Sequence, residues 1–276
     1  MDSIANKINA DRAFFNDLGT IYPADKRVGI TQEHIAGVSC YWFTPSQVEE
    51  ERLIVYLHGG SFGLGSIQSH RAMVSHLASA LTSKILFVEY SLAPEKPFPN
   101  AVNDVFSVYQ QLILRSPKEK ISLIGDSAGG GLAASFIHKA ASEQIALPSC
   151  VVLISPWINL YCDTGSHITR KDMDKVLTKE LLLEYAGYYA NGNWEEADPA
   201  RLNFERFPPL FILVGSDEIL FDDSRIFYEK IRILQANCEM REYTNQGHVW
   251  LLADIDSASS KEALIHIDAF LRRTAG

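Results

Sequence analysis

Short unbroken apolar runs recur along this chain, and between them lie longer stretches whose apolar positions return every three or four residues. Six segments read as strands, 53–57, 85–89, 121–124, 151–154, 210–214 and 238–243, and those in the middle of the set are continuous apolar runs. The intervening periodic stretches predict helices over 69–82, 100–115, 129–142, 223–236 and 257–273. Runs that are continuous rather than alternating indicate a sheet covered on both faces. Strands alternating with helices imply right-handed crossovers and a parallel sheet, so the pattern predicts an α/β fold. Residues 38–44 and those around 27–31 predict an antiparallel lead-in to that sheet.

One stretch breaks the rhythm. From Asn159 to Pro209, about fifty residues separate two core strands, more than a simple connection needs. Within it, residues 178–189 look helical, with Thr178 as the expected N-cap. Residues 1 to 25, with Phe14, Phe15, Leu18 and Ile21, are expected to join the insertion at about 159–208 in a small helical cap on a single domain spanning 1–276. Tyr161, Tyr185, Tyr188, Tyr189 and Trp194 are candidates either to line a pocket or to pack the cap, and packing is the commoner use of a single aromatic.

The candidate chemistry sits where runs end. Gly125-Asp126-Ser127-Ala128-Gly129 joins the run at 120–124 to a small-residue helix, which is the G-x-S-x-G elbow in its strand–turn–helix setting. Such a turn strains the serine, and the flanking glycines let strand and helix approach closely. Upstream, the run at 52–57 enters His58-Gly59-Gly60-Ser61-Phe62-Gly63, whose glycines can turn backbone N–H groups toward a developing oxyanion. Ser127, Asp217 and His248 each follow a strand, in the order serine, acid, histidine expected of an α/β-hydrolase.

These motifs resemble the bacterial-type hormone-sensitive-lipase-like carboxylesterases. His58-Gly59-Gly60, Gly125-Asp126-Ser127-Ala128-Gly129-Gly130, the segment Glu89-Tyr90-Ser91-Leu92-Ala93-Pro94-Glu95 and Ser155-Pro156-Trp157 carry the likeness, in consistent order from about residue 50 to 250. The resemblance implies an α/β-hydrolase fold with an eight-stranded, mostly parallel sheet flanked by helices, a cap over the site, and neither metal nor organic cofactor. It implies a serine esterase with Ser127 as nucleophile, His248 as base and Asp217 as orienting acid. Gly59, Gly60, Ser61 and Ala128 would form the oxyanion hole. Asp217 is preferred mainly on the family match. Its neighbour Glu218 should face away if the strand continues, and Asp222 and Asp223 suit the start of the next helix. Asp126 is read as bracing backbone, and His58 as bracing the glycine loop. His70, His76 and His266 lie on helices and are read as structural. The chain departs from the family at Glu89, Ser91 and Ser61, the last placing a side chain beside the oxyanion hole. The family often pairs through its edge strand or last helix, which allows a homodimer.

Composition narrows the partners. With 276 residues, 47% hydrophobic and 21% charged, the chain can bury a full core without staples. A net charge of −9 opposes phosphate backbones, so nucleic acid is excluded as a partner and a small-molecule ester is expected. Cys40, Cys150, Cys162 and Cys238 form no C-x-x-C pair, and no apolar stretch reaches spanning or signal-peptide length, so a cytoplasmic protein with free thiols is expected. Two other classes share these features: an amidase or peptidase with the same triad, and a non-catalytic small-ligand receptor, which should have lost a triad member.

Overall fold

In the computed structural model, which describes residues 2–48, 52–116 and 120–274, the apolar runs form the middle of one eight-stranded sheet. Met1, at the head of the expected cap, lies outside the described residues. The strands are β1 (Val28–Ile35), β2 (Val38–Pro45), β3 (Arg52–Leu57), β4 (Lys84–Val88), β5 (Lys120–Asp126), β6 (Val151–Ile154), β7 (Leu210–Gly215) and β8 (Cys238–Tyr243). Their order across the sheet is β1-β2-β4-β3-β5-β6-β7-β8. The lead-in pairs β1–β2 and β2–β4 are antiparallel, and every later pair is parallel.

Continuous apolar runs are required because the sheet is buried on both sides. All six residues of β3 and of β7 are buried. Alternate side chains feed two separate cores: Leu53, Val55 and Leu57 enter one, while Ile54 and Tyr56 enter the other. The first core is closed by α3 (Asn100–Arg115), α4 (Ala128–Ser142) and α8 (Phe221–Ile231). The second is closed by α2 (Ile67–Ala80), the short α9 (Trp250–Ala253) and α10 (Ala258–Thr274). Edge strands β1 and β8 are mostly exposed or half-buried, as their mixed sequences require. Helix α8 stops at Ile231, short of the expected 236, because the chain must turn to bring the Asn237 carbonyl to the Leu210 N–H and open β8.

The 159–208 insertion carries α5 (Ser166–Thr169), α6 (Lys179–Ala190) and α7 (Trp194–Ala197). Thr178 caps α6, its side chain accepting from the Leu181 N–H. The insertion meets the N-terminal helix α1 (Asp2–Asn16): the Tyr185 hydroxyl donates to Asp11 at 2.7 Å, and Lys7 pairs with Glu184 at 3.2 Å. Arg12 ties α1 to the body through Gly63 O, Ala93 O and a two-pronged contact with Glu95. Glu89 accepts from the Ile67 N–H at the start of α2, and Ser91 bonds Asp104 through both N–H and hydroxyl, so both departures serve the scaffold. No helix among the described residues is long and apolar enough to cross a membrane.

Candidate active site

Between β5 and α4 the chain reverses within one residue, Ser127, at φ 51° and ψ −121°. Such a backbone costs on the order of 1–3 kcal/mol and persists only where its surroundings hold it. Here its N–H donates to Ile154 O at 2.9 Å, and its carbonyl accepts from Gly130 and Trp157, each at 2.9 Å. A Cβ on Gly129 would lie 2.0 Å from Leu57 O, so the helix can pass β3 only with glycine there. The result lifts Ser127 Oγ to 2.9 Å from His248 Nε2.

The carboxylate that meets His248 differs from the sequence expectation. Glu218 Oε2, not Asp217, accepts from His248 Nδ1 at 3.0 Å. Asp217 is half-exposed, takes the Ser216 hydroxyl at 2.7 Å, and gives its N–H to Gln246 O. The expectation assumed that β7 continues through these residues. It ends at Gly215, and the chain then curls until the Gly215 N–H meets Glu218 Oε1 at 2.5 Å. That turn brings the Glu218 side chain to the imidazole. Ser155, φ 49° and fully buried, completes the support: its hydroxyl donates to Glu218 Oε1 at 2.6 Å and accepts from the Val249 N–H at 3.1 Å. One serine thus ties the acid to the residue after the histidine. Asp222 and Asp223 bond backbone of the insertion and, as expected, open α8.

Electrostatics fit a base held by an anion. Burial pushes the Glu218 carboxyl upward, opposed by the hydrogen bonds from His248, Ser155 and Gly215. Burial also works against a charged His248, but the hydrogen bond and charge of Glu218, with Asp174 and Asp126 farther off, outweigh it and hold the imidazole above its ordinary value. Because Glu218 accepts at Nδ1, the neutral ring keeps Nε2 free to take a proton from Ser127.

The glycine loop is built around Asp126. This carboxylate accepts from the Tyr56 hydroxyl at 2.6 Å and from the Gly59 N–H at 3.0 Å, with His70 Nε2 at 3.4 Å. Burial disfavours its charge, yet His70 and the Tyr56 hydrogen bond more than compensate and hold it below the usual range. Gly59 therefore leaves the expected oxyanion set, since its N–H is already spent on Asp126. Gly60, Ser61 and Phe62 follow with φ of 117°, 53° and 59°. A Cβ at Gly60 would fall 2.4 Å from Leu64 O, so that turn requires glycine. His58 braces the loop as expected: its Nδ1 meets Gly59 O at 2.8 Å, its carbonyl accepts from Tyr90, and burial, reinforced by neighbouring His70, pushes its pKa down to about 3. Ala128 opens α4, where an N–H has no carbonyl of a preceding turn. His266 bonds the Tyr243 hydroxyl and His76 meets Pro23 O, both away from Ser127.

Ser127, His248, Gly60 and Ser61 border a cavity of about 120 Å³. Its apolar wall comes from Phe15, Leu18 and Ile21 of the N-terminal segment, Val176 and Leu177 of the insertion, and Val249, Leu252 and Ala253 just after the histidine. None of the five candidate aromatics borders it. Tyr189 stacks on Phe62 with ring centres 3.9 Å apart, and Tyr161 packs beside Trp194 at 5.3 Å, so these rings pack the insertion against the body and against itself. A larger depression of about 610 Å³ beside His138 and Phe204 contains none of the reactive groups. Sequence reasoning missed Glu218, Ser155 and the pair Val176–Leu177. Glu218 carried a signal in its adjacency to Asp217 and Ser155 in the Ser155-Pro156-Trp157 likeness, but Val176 and Leu177 carried none.

The chain matches known proteins over nearly its whole length. The family described as alpha/beta hydrolase fold matches residues 54–252. An acetyl-hydrolase from Streptomyces hygroscopicus is 36% identical over 239 residues, 85% of this chain and 80% of that protein. An esterase from Acinetobacter venetianus is 32% identical over 267 residues, 95% of this chain and 88% of that protein. A crystal structure of an esterase from the bacterial hormone-sensitive lipase family superposes with a TM-score of 0.93 at 30% identity, covering 98% of this chain and 92% of that one.

Proposed function

The chain belongs to the α/β-hydrolase family, among its hormone-sensitive-lipase-like esterases, and on that premise we propose that it hydrolyses short-chain acyl esters through an acyl-enzyme on Ser127. It is a carboxylic-ester hydrolase. The observation that carries the mechanism is the relay Ser127 Oγ–His248 Nε2 at 2.9 Å with Glu218 behind Nδ1 at 3.0 Å, at the edge of a small apolar cavity.

Ser127 Oγ attacks the substrate carbonyl carbon while His248 takes the hydroxyl proton, and Glu218 stabilises the imidazolium. The carbonyl oxygen gains charge under the N–H groups of Gly60, Ser61 and Ala128, each supplying roughly 3 kcal/mol in a water-poor site. His248 then donates its proton to the leaving alkoxide, and the same ring activates the water that releases the acid. Residues 2–25 and 159–208 act as the cap that encloses the acyl group. A cavity of 120 Å³ lies below the ~300 Å³ typical of drug-sized ligand sites, which supports short acyl chains.

Hydrolysis of p-nitrophenyl esters from acetate to palmitate, with Ser127→Ala alongside, tests this reading. A maximum at acetate to butyrate that disappears in the variant is expected. Folded protein inactive across the series but active on matched amides would transfer the site to amide hydrolysis.

A further inference from the structure

Asp174 lies in the insertion, in the turn before α6, and is buried although it touches neither Ser127 nor His248. Its two carboxylate oxygens face different parts of the molecule. Oδ1 accepts from the N–H groups of Val176 and Leu177, each at 2.9 Å. Oδ2 accepts from the Ile219 N–H, also at 2.9 Å. Val176 and Leu177 are the cap's share of the acyl wall, and Ile219 is the residue directly after the acid Glu218.

The contact belongs to a wider grip. The Arg170 guanidinium donates to Ser216 O and lies over the Phe221 ring at 3.6 Å. Ser166 donates its hydroxyl to Ile219 O at 2.6 Å and exchanges two hydrogen bonds with Asp222. The segment 166–177 therefore holds the acid loop on both sides of Glu218. Asp174 alone among these residues also holds the turn that lines the cavity.

We infer that Asp174 is a positioning residue that couples the acyl wall of the cap to the orientation of Glu218, so that the fit of the acyl chain is read in turnover as well as in binding. The inference rests on the proposed esterase reading. Three N–H groups converge on one carboxylate, so the 176–177 turn and the Ile219 peptide share one anchor. An acyl chain too long for the cavity displaces the turn, drags that anchor, and rotates the peptide that carries Glu218. His248 then loses its acceptor at Nδ1 in the complexes that should not react.

The test compares wild type with Asp174→Ala and Asp174→Asn. Asparagine can keep its carbonyl on Val176 and Leu177, but its amide group then opposes the Ile219 N–H, which separates the wall from the acid. The readouts are kcat and KM for p-nitrophenyl acetate and hexanoate, and the downfield proton resonance of His248 Nδ1–H in the free protein. For Asp174→Ala we expect kcat on acetate to fall about tenfold, below the hundredfold that an ångström of misplacement can cost. The hexanoate-to-acetate ratio in kcat should rise at least about threefold, and the His248 resonance should move upfield. Asp174→Asn should move the resonance and kcat and also raise the hexanoate-to-acetate ratio, because the wall stays anchored on Val176 and Leu177 but no longer drags the Ile219 peptide. Folded variants whose resonance and kcat match wild type overturn the inference, as does a change confined to thermal stability. If Asp174→Ala does not fold, the asparagine variant decides. A wild type without ester hydrolysis would sink the esterase reading instead, and the resonance would still test the coupling.

Discussion

Replacing Glu218 by glutamine exchanges one carboxylate oxygen for an NH₂ group and should nearly silence the enzyme. Glu218 Oε1 receives two donors, the Ser155 hydroxyl at 2.6 Å and the Gly215 N–H at 2.5 Å. In Glu218→Gln the carbonyl oxygen must stay there, because an amide nitrogen would face the Gly215 N–H. The amide NH₂ then points at His248 Nδ1, which must become an acceptor. The neutral ring is forced to carry its proton on Nε2, where it cannot take one from Ser127. A carboxylate-to-amide change at the orienting acid of a serine protease lowers turnover by about ten thousandfold for this reason. We expect a fall of about a thousandfold to ten thousandfold in kcat, or about 4–5.5 kcal/mol of barrier, with KM little changed. Asp217→Asn, whose side chain accepts from the neighbouring Ser216 hydroxyl, should keep kcat within about threefold. The assay is p-nitrophenyl acetate hydrolysis at neutral pH with active-site titration. If Asp217→Asn collapses and Glu218→Gln stays within tenfold of wild type, the assignment of the acid is refuted.

Acidification should remove activity early. His248 acts as a neutral base and its pKa is raised, so it retains its proton to higher pH. The acid limb of kcat/KM should therefore lie above the ordinary ~6.5 of histidine, and a limb below pH 6 would contradict the buried ion pair. Ser61→Gly should relieve a left-handed residue at φ 53° and remove a side chain from the cavity wall. Unfolding by denaturant should show a gain of about 1 kcal/mol, with butyrate improved relative to acetate; lower stability with unchanged chain preference would count against both arguments.

The central strands and helices were legible because burial on both faces demands continuous apolar runs, and β3, β5, β6 and β7 fall within a residue or two of expectation. The meeting of Ser127 with His248 was legible because the elbow and the glycine beside the histidine leave local marks. Which carboxylate meets His248 was not. Asp217 and Glu218 are adjacent carboxylates, and the choice turns on where β7 stops, which is set by Gly215 folding back onto Glu218. Asp174 was hidden for a related reason: it acts through the Ile219 backbone, distant in sequence, while Ser155 was visible as a motif residue but its bridge from Glu218 to Val249 was not. The cavity wall came from aliphatic Val176 and Leu177 rather than from the more conspicuous tyrosines, whose rings pack α6 against the body.

The central claim is that Ser127, activated by His248, becomes covalently acylated. Brief reaction with p-nitrophenyl acetate, acid quench and peptide mass mapping test it directly. The account predicts one acetyl group per chain on the peptide containing Ser127, absent from Ser127→Ala and greatly reduced in Glu218→Gln. Acetylation elsewhere, or rapid turnover with no Ser127 adduct under any quench time, would contradict it.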